Sequence, residues 1–223
     1  MMGQGRGPRR PRLLPDDDYG RAAASEVLRA GGLVAMPTDT IYGVGVALGA
    51  DDGLMRLFAA KDRPLDRAVV LLVADLEQAA SVGVLSPAAR ALAERFWPGG
   101  LTLVLRQAPE ARLPSILTAG SATIGVRLPD HESPRALARE VGPLPVTSAN
   151  LSGHPDARDA ADVLAQLGAR IDLVLDGGPA RGGIPSTVVD CSGELPRILR
   201  VGAIPSAELA DALSRAGLAH SIA

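Results

Sequence analysis

The chain has 223 residues, the size of one large domain or two small ones, and its 47% apolar and 22% charged content excludes a disordered protein. A formal charge of −2 excludes a globally basic nucleic-acid binder. Aromatics at 2% (Tyr19, Tyr42, Phe58, Phe96 and Trp97) leave few platforms for stacking unpaired bases. The lone cysteine, Cys191, allows neither an internal disulfide nor a cysteine metal cluster, which fits a cytoplasmic protein.

The first stretch is basic. Arg6, Arg9, Arg10 and Arg12 occur with no acid before Asp16, and Pro15 with Asp16-Asp17-Asp18 halts the short Leu13-Leu14 run. No apolar h-region follows, so no signal peptide is expected, and residues 1–17 read as a disordered arm. Its alternative use is weak binding to tRNA or double-stranded RNA. The longest apolar run, Ala68–Ala74, is far too short to span a membrane, so no membrane association is expected.

From Asp18 the chain alternates short strands with capped helices. Ala22, Ala23, Val27 and Leu28 predict a helix ending at Gly31-Gly32. Leu33–Met36 reads as a strand, Pro37–Thr40 as a turn and Ile41–Leu48 as a second strand. Asp51 is expected to cap a helix reaching Lys61. Ala68–Val73 reads as a strand buried on both faces. Ser86-Pro87 and Ser133-Pro134 each read as an N-cap followed by proline at the first helical position. Further strands are expected at Leu101–Arg106, Thr123–Leu128, Leu144–Thr147, Ile171–Leu175, Thr187–Cys191 and Arg197–Val201, with helices opening at Asp159 and Ser206. Hairpin-length and helix-length spacings both occur. The expectation is therefore a single α/β domain over 18–216, a twisted open sheet of mixed direction with flanking helices, then a tail at 217–223.

Two residue types are scarce. Of 23 basic residues only Lys61 is lysine, and Asn150 is the lone asparagine. Such singletons mark positions where arginine or another amide does not serve. Familiar site motifs are absent: no phosphate-binding G-x-x-x-x-G-K-[ST] loop, no dinucleotide G-x-G-x-x-G, no G-x-S-x-G elbow and no H-E-x-x-H helix. His131, His154 and His220 are scattered and read as surface or cap residues. Chemistry by positioning and charge stabilisation is expected instead.

Four polar clusters lie at strand ends, where open α/β sheets bind ligands. They are Pro37–Gly43, the cationic Lys61-Asp62-Arg63-Pro64 with Arg67, Thr123–Pro129, and Val146–Gly153. Arg127 alternates with apolar residues on its strand, which is costly unless a carboxylate or phosphate pairs with it. Together with "PSTVVD" and "RILRVGAI" these segments resemble the YrdC family of L-threonylcarbamoyladenylate synthases, in its short single-domain form, over about residues 18–216.

The resemblance implies synthesis of L-threonylcarbamoyl-AMP from L-threonine, bicarbonate and ATP. Pyrophosphate leaves, Mg2+ accompanies ATP, and a threonylcarbamoyl transferase complex then modifies tRNA. It implies threonine contacts at Thr40, Arg127, Val146 and Ser186, with Arg127 holding the carboxylate. It places Lys61 and Arg63 at the phosphates as the catalytic cations, with Arg67 beside them, and Thr123, Ser148, Asn150 and Arg200 at the nucleotide. The chain departs from the family at Arg67-Ala68, where many relatives read Asn-Pro, and at Leu72, where some carry histidine. The alternatives are a related carbamoyl-adenylate-forming enzyme and a non-catalytic RNA-binding protein of the same fold.

Overall fold

The structure is a computed structural model and describes residues 10–50 and 52–222. In chain order the first elements are β1 (Arg12–Pro15), α1 (Asp18–Arg29), β2 (Val34–Met36), β3 (Gly43–Gly45), α2 (Gly53–Ala60) and β4 (Val70–Leu72). Next come α3 (Leu76–Val82), β5 (Gly83–Val84), α4 (Pro87–Phe96), β6 (Leu101–Gln107), α5 (Ser115–Thr118), β7 (Thr123–Arg127) and α6 (Glu132–Val141). The last are β8 (Leu144–Ser148), α7 (Ala160–Gln166), β9 (Leu173–Asp176), β10 (Thr187–Asp190), β11 (Arg197–Arg200) and α8 (Ser206–Arg215).

All strands among the described residues join one open sheet in the order β1-β9-β2-β3-β8-β4-β7-β6-β10-β11, with β5 beside β6. The pairs β1–β9, β9–β2, β4–β7 and β6–β10 are parallel, and the other neighbours run antiparallel. The mixed direction expected from the spacings is therefore present. Strand alternation sorts side chains onto two faces. Val34, Met36, Leu72, Leu144, Val146, Leu173 and Leu175 face one way and pack on α1 and α6 through Ala23, Ala24, Leu28 and Leu137. Ala35, Leu71, Val73, Leu101, Leu103, Leu105, Val126 and Val174 face the other way, into the larger core shared with α2, α4, α7 and α8.

Several expectations are corrected. Residues 12–15, assigned to the disordered arm, form β1, because Leu13 and Leu14 continue the parallel ladder of β9. Arg6 and Arg9 lie outside the described residues, as does the expected cap Asp51. Asp17, also assigned to the arm, caps α1 by accepting from the Gly20 amide at 2.8 Å. The Ile41–Leu48 strand shrinks to Gly43–Gly45. Tail residue Ile222 is buried in the larger core.

The most instructive correction is at α6. His131, not Ser133, caps it: His131 Nδ1 accepts from the Ser133 amide at 3.2 Å, and the helix begins at Glu132. Ser133 sits inside the first turn, and its buried hydroxyl has no hydrogen-bond partner. A capping serine costs about 0.5–2 kcal/mol when changed to alanine. Removing an unsatisfied buried hydroxyl does not. Ser133→Ala should therefore leave urea-unfolding stability unchanged or raise it slightly, whereas a loss near 1 kcal/mol would restore Ser133 as the cap.

Candidate active site

A cleft of about 340 Å³ opens on the sheet face that carries α1 and α6, over β8, β4, β7, β6 and β10. Its floor follows from register. Val146 stands opposite Val70, Leu72 beside Arg127, and Thr102 beside Val188, so these side chains share one face. The β3 glycines admit that floor, since a Cβ on Gly43 would come within 2.6 Å of Val146 Cγ1. Thr40, Arg63, Ser148, Asp156, Ser186 and Arg200 complete the polar lining. Of the residues expected at the site, Thr40, Arg63, Arg127, Val146, Ser148, Ser186 and Arg200 line this cleft, while Lys61, Arg67, Thr123 and Asn150 do not.

Arg127 ends β7 and is only 6% exposed. Its Nε donates to the Gly99 carbonyl at 3.0 Å, Nη1 to Thr40 Oγ1 at 2.8 Å, and Nη2 to Asp39 Oδ1 at 2.6 Å. A guanidinium carries five N–H donors, so two remain, one on each terminal nitrogen. That is the number one carboxylate accepts bidentately. Burial pushes the Arg127 pKa down and the Asp39 charge pushes it back up. Thr40 is held in turn, because Thr38 Oγ1 lies 3.0 Å from Thr40 Oγ1 and donates to the Ile41 carbonyl at 2.7 Å. Across the cleft Ser186 Oγ pairs with Thr102 Oγ1 at 2.8 Å, and Arg200 Nη2 donates to the Ser186 carbonyl at 2.8 Å.

Arg63 reaches the cleft through the end of α2. Asp62 adopts a left-handed conformation at φ 51, which turns the chain back after Lys61. The Arg63 amide then donates to the Phe58 carbonyl at 3.0 Å and the Asp62 amide to Ala59 at 3.3 Å, a Schellman closure. Arg63 Nη2 donates to the Ala68 carbonyl at 2.8 Å, and its buried Nε has no partner. Burial, and then the neighbouring Arg67 charge, push the Arg63 pKa down. Arg67 itself is exposed. Thr123 begins β7, four residues and about 13 Å of strand from Arg127. Its hydroxyl bonds Ser121 Oγ at 2.8 Å.

Lys61 departs most from expectation. It is 2% exposed, and its Nζ donates to the carbonyls of Ser148 and Asn150, with Asn150 Oδ1 at 3.5 Å. Asn150 Nδ2 closes the following turn on the His154 carbonyl at 2.7 Å. The two singletons of the sequence therefore meet each other behind the cleft wall instead of facing into it. Burial, with the Arg63 charge second, pushes the Lys61 pKa down to about 7, and the carbonyl acceptors favour the protonated form. Asp39, Thr38, Thr102 and Asp156 are site residues missed in sequence. Asp39 and Thr38 lie in the highlighted Pro37–Gly43 cluster, but their partners are 88 and two residues away respectively, and only the first is beyond local reading.

With this geometry in place, comparison with known proteins is decisive. The Sua5/YciO/YrdC family, described under the heading telomere recombination, matches residues 26–202. The chain belongs to the Sua5/YciO/YrdC family. A threonylcarbamoyl-AMP synthase of Bacillus subtilis is 39% identical over 88% of this chain and 57% of its own length. Another, from Thiobacillus denitrificans, is 40% identical over 73% of this chain and 86% of its own. The structure of P. abyssi Sua5 complexed with L-threonine superposes with a TM-score of 0.85 and 34% identity, over 91% of this chain and 60% of that one. The chain thus spans less than two thirds of the longer members of the family, and its open mixed sheet is the family fold. Among the described residues no helix is long and apolar enough to cross a membrane.

Because the Lys61 site is closed, its shape matters as much as its charge. Lys61→Arg keeps the cation but forces a planar fork into space fitted to an ammonium, which typically costs about 1–3 kcal/mol. Lys61→Met removes the donor that the Ser148 and Asn150 carbonyls share and should cost a similar amount. Urea unfolding of both variants checks this, and an arginine variant as stable as the parent protein would contradict it.

Proposed function

We propose that this chain makes L-threonylcarbamoyl-AMP from L-threonine, bicarbonate and ATP in the cytoplasm, releasing pyrophosphate. The observation that carries the reading is Arg127, a buried cation with two uncommitted N–H groups in a cleft that also presents Arg63 and Arg200. The names of the family's members and the threonine complex of the P. abyssi relative support it.

In this reading Arg127 takes the threonine α-carboxylate. Thr40 and Ser186 each keep hydrogen-bonding capacity beyond their present partners and read the substrate hydroxyl, while Val146 packs on its methyl. The free amine of threonine attacks the carbon supplied by bicarbonate, forming the N–C bond of a carbamate as a proton and hydroxide depart. A carbamate oxygen then attacks the α-phosphorus of ATP, the bond to the bridging oxygen breaks, and pyrophosphate leaves with that electron pair. No protein nucleophile takes part. Arg63 holds the triphosphate and offsets charge in line, with Arg67 beside it, while Thr123 and Arg200 meet the nucleotide and Ser148 forms part of the wall. Lys61 and Asn150 act from behind by fixing the 148–150 turn. Among the described residues no three His, Cys, Asp or Glu side chains gather to hold a metal, so Mg2+ is assigned to the ATP phosphates, with Asp156 the carboxylate in the lining. The product then passes to a threonylcarbamoyl transferase complex that modifies tRNA.

Pyrophosphate release from ATP should require both threonine and bicarbonate, and release that ignores threonine would sink the assignment. Amino-acid choice is a sharper test. A site that bonds a substrate hydroxyl rejects an analogue lacking it by about 10⁴-fold or more, whereas one methyl is worth about 1–3 kcal/mol. The expected order of kcat/KM is threonine, then serine, then valine well below both. Valine used as well as serine would remove Thr40 and Ser186 from the hydroxyl-reading role.

A further inference from the structure

We propose that Asp39 is a positioning residue for amino-acid binding: it acts through Arg127, holding the guanidinium so that its two uncommitted N–H groups receive the incoming carboxylate. The inference rests on the function proposed above and deepens it. Asp39 is absent from the cleft lining, yet its Oδ1 accepts from Arg127 Nη2 at 2.6 Å, and its side chain is only 13% exposed. It therefore stands beside the cation without lining the cleft.

Two consequences follow from that placement. The first is geometric. Gly99, Thr40 and Asp39 take one N–H from each of the three nitrogens, so the plane of the fork is fixed before any ligand arrives. Preorganisation of this kind lowers the ordering cost of binding. The second is electrostatic. Arg127 is deeply buried, and Asp39 is the carboxylate bonded to it. Without that charge the cation has only neutral partners, and the Nη2 donor facing Asp39 loses its acceptor. The Asp39 backbone is itself constrained, because a Cβ on Gly182 would come within 2.7 Å of the Asp39 carbonyl and the Gly183 amide donates to the Thr40 carbonyl at 2.7 Å. Segment 177–186 thus presses on the turn that aims Asp39.

The opposite role, a carboxylate that occupies the substrate's place and is displaced by it, predicts the opposite sign. Asp39 uses one N–H and leaves the pair that a substrate needs, so positioning is the role the geometry favours. The experiment measures L-threonine binding by calorimetry, and KM and kcat for threonine and ATP, in the full chain and in Asp39→Asn and Asp39→Ala. A hydrogen bond to a charged group of this kind corresponds to about a 10- to 100-fold effect. The alanine variant should weaken threonine binding and raise its KM by that factor, with the KM for ATP unchanged within about 2-fold. Asparagine, which keeps an Oδ1 acceptor without the charge, should fall between. If the parent protein binds no threonine, the proposed function fails and this inference with it. If the parent binds threonine and both variants bind it equally well, or more tightly, the positioning role alone is overturned. A purely structural role would lower the melting temperature and the active fraction and leave the threonine KM where it was.

Discussion

Burying a guanidinium strips water from a permanent cation, and at Arg127 the protein answers with three fixed acceptors drawn from two separate parts of the chain. One is the Gly99 carbonyl before β6, and the other two are Thr40 and Asp39 in the turn between β2 and β3. Satisfying one cation therefore ties the end of β7 to both neighbouring loops. The cost of leaving any of these N–H groups unpaired is what makes the arrangement rigid. The glycine-rich segment 177–186 then packs over the same turn, which its small residues allow. The cleft is preorganised because its central charge could not otherwise be buried.

Lys61 plays the corresponding part at the other wall. Its ammonium gathers the carbonyls of Ser148 and Asn150 and joins the end of α2 to the end of β8. The left-handed Asp62 directly after it reverses the chain, so that Arg63 enters the cleft while Lys61 stays behind it. Two cations separated by one residue thus do different work. One organises backbone, and the other faces the cleft. Arg63, half-buried with an unpartnered Nε, keeps hydrogen-bonding capacity, as Arg127 does.

Much of this was legible in the sequence where the signal is local. The apolar runs at 101–106 and 123–128 and the caps at Ser86 and Asp159 are periodicity and side-chain chemistry within a few residues, and they stand in the structure. The four polar clusters converge on one cleft because strand ends of a twisted sheet bring them together. What was hidden depends on partners distant in sequence. Leu13 and Leu14 form a strand only because β9, some 160 residues later, offers an edge. Residues 41–48 form little strand, although their pattern allows more, because the ladder to β8 fits the glycine pair Gly43 and Gly45 and then ends. Ser133 matched the cap pattern, but His131, two residues earlier, takes the cap by accepting from the Ser133 amide itself. Lys61 and Asn150 were singled out by scarcity, and scarcity marked their importance without showing that they bind each other.

The central claim is that Arg127 receives the amino-acid carboxylate while Asp39 keeps its place beside it. A crystal structure of this protein with L-threonine tests that most directly. The account predicts both carboxylate oxygens within hydrogen-bond distance of the two terminal nitrogens of Arg127, with Asp39 still bonded to Nη2 and the threonine hydroxyl near Thr40 or Ser186. A carboxylate seated on Arg63 or Arg200 instead, or an Asp39 displaced from Arg127 by the ligand, would contradict it.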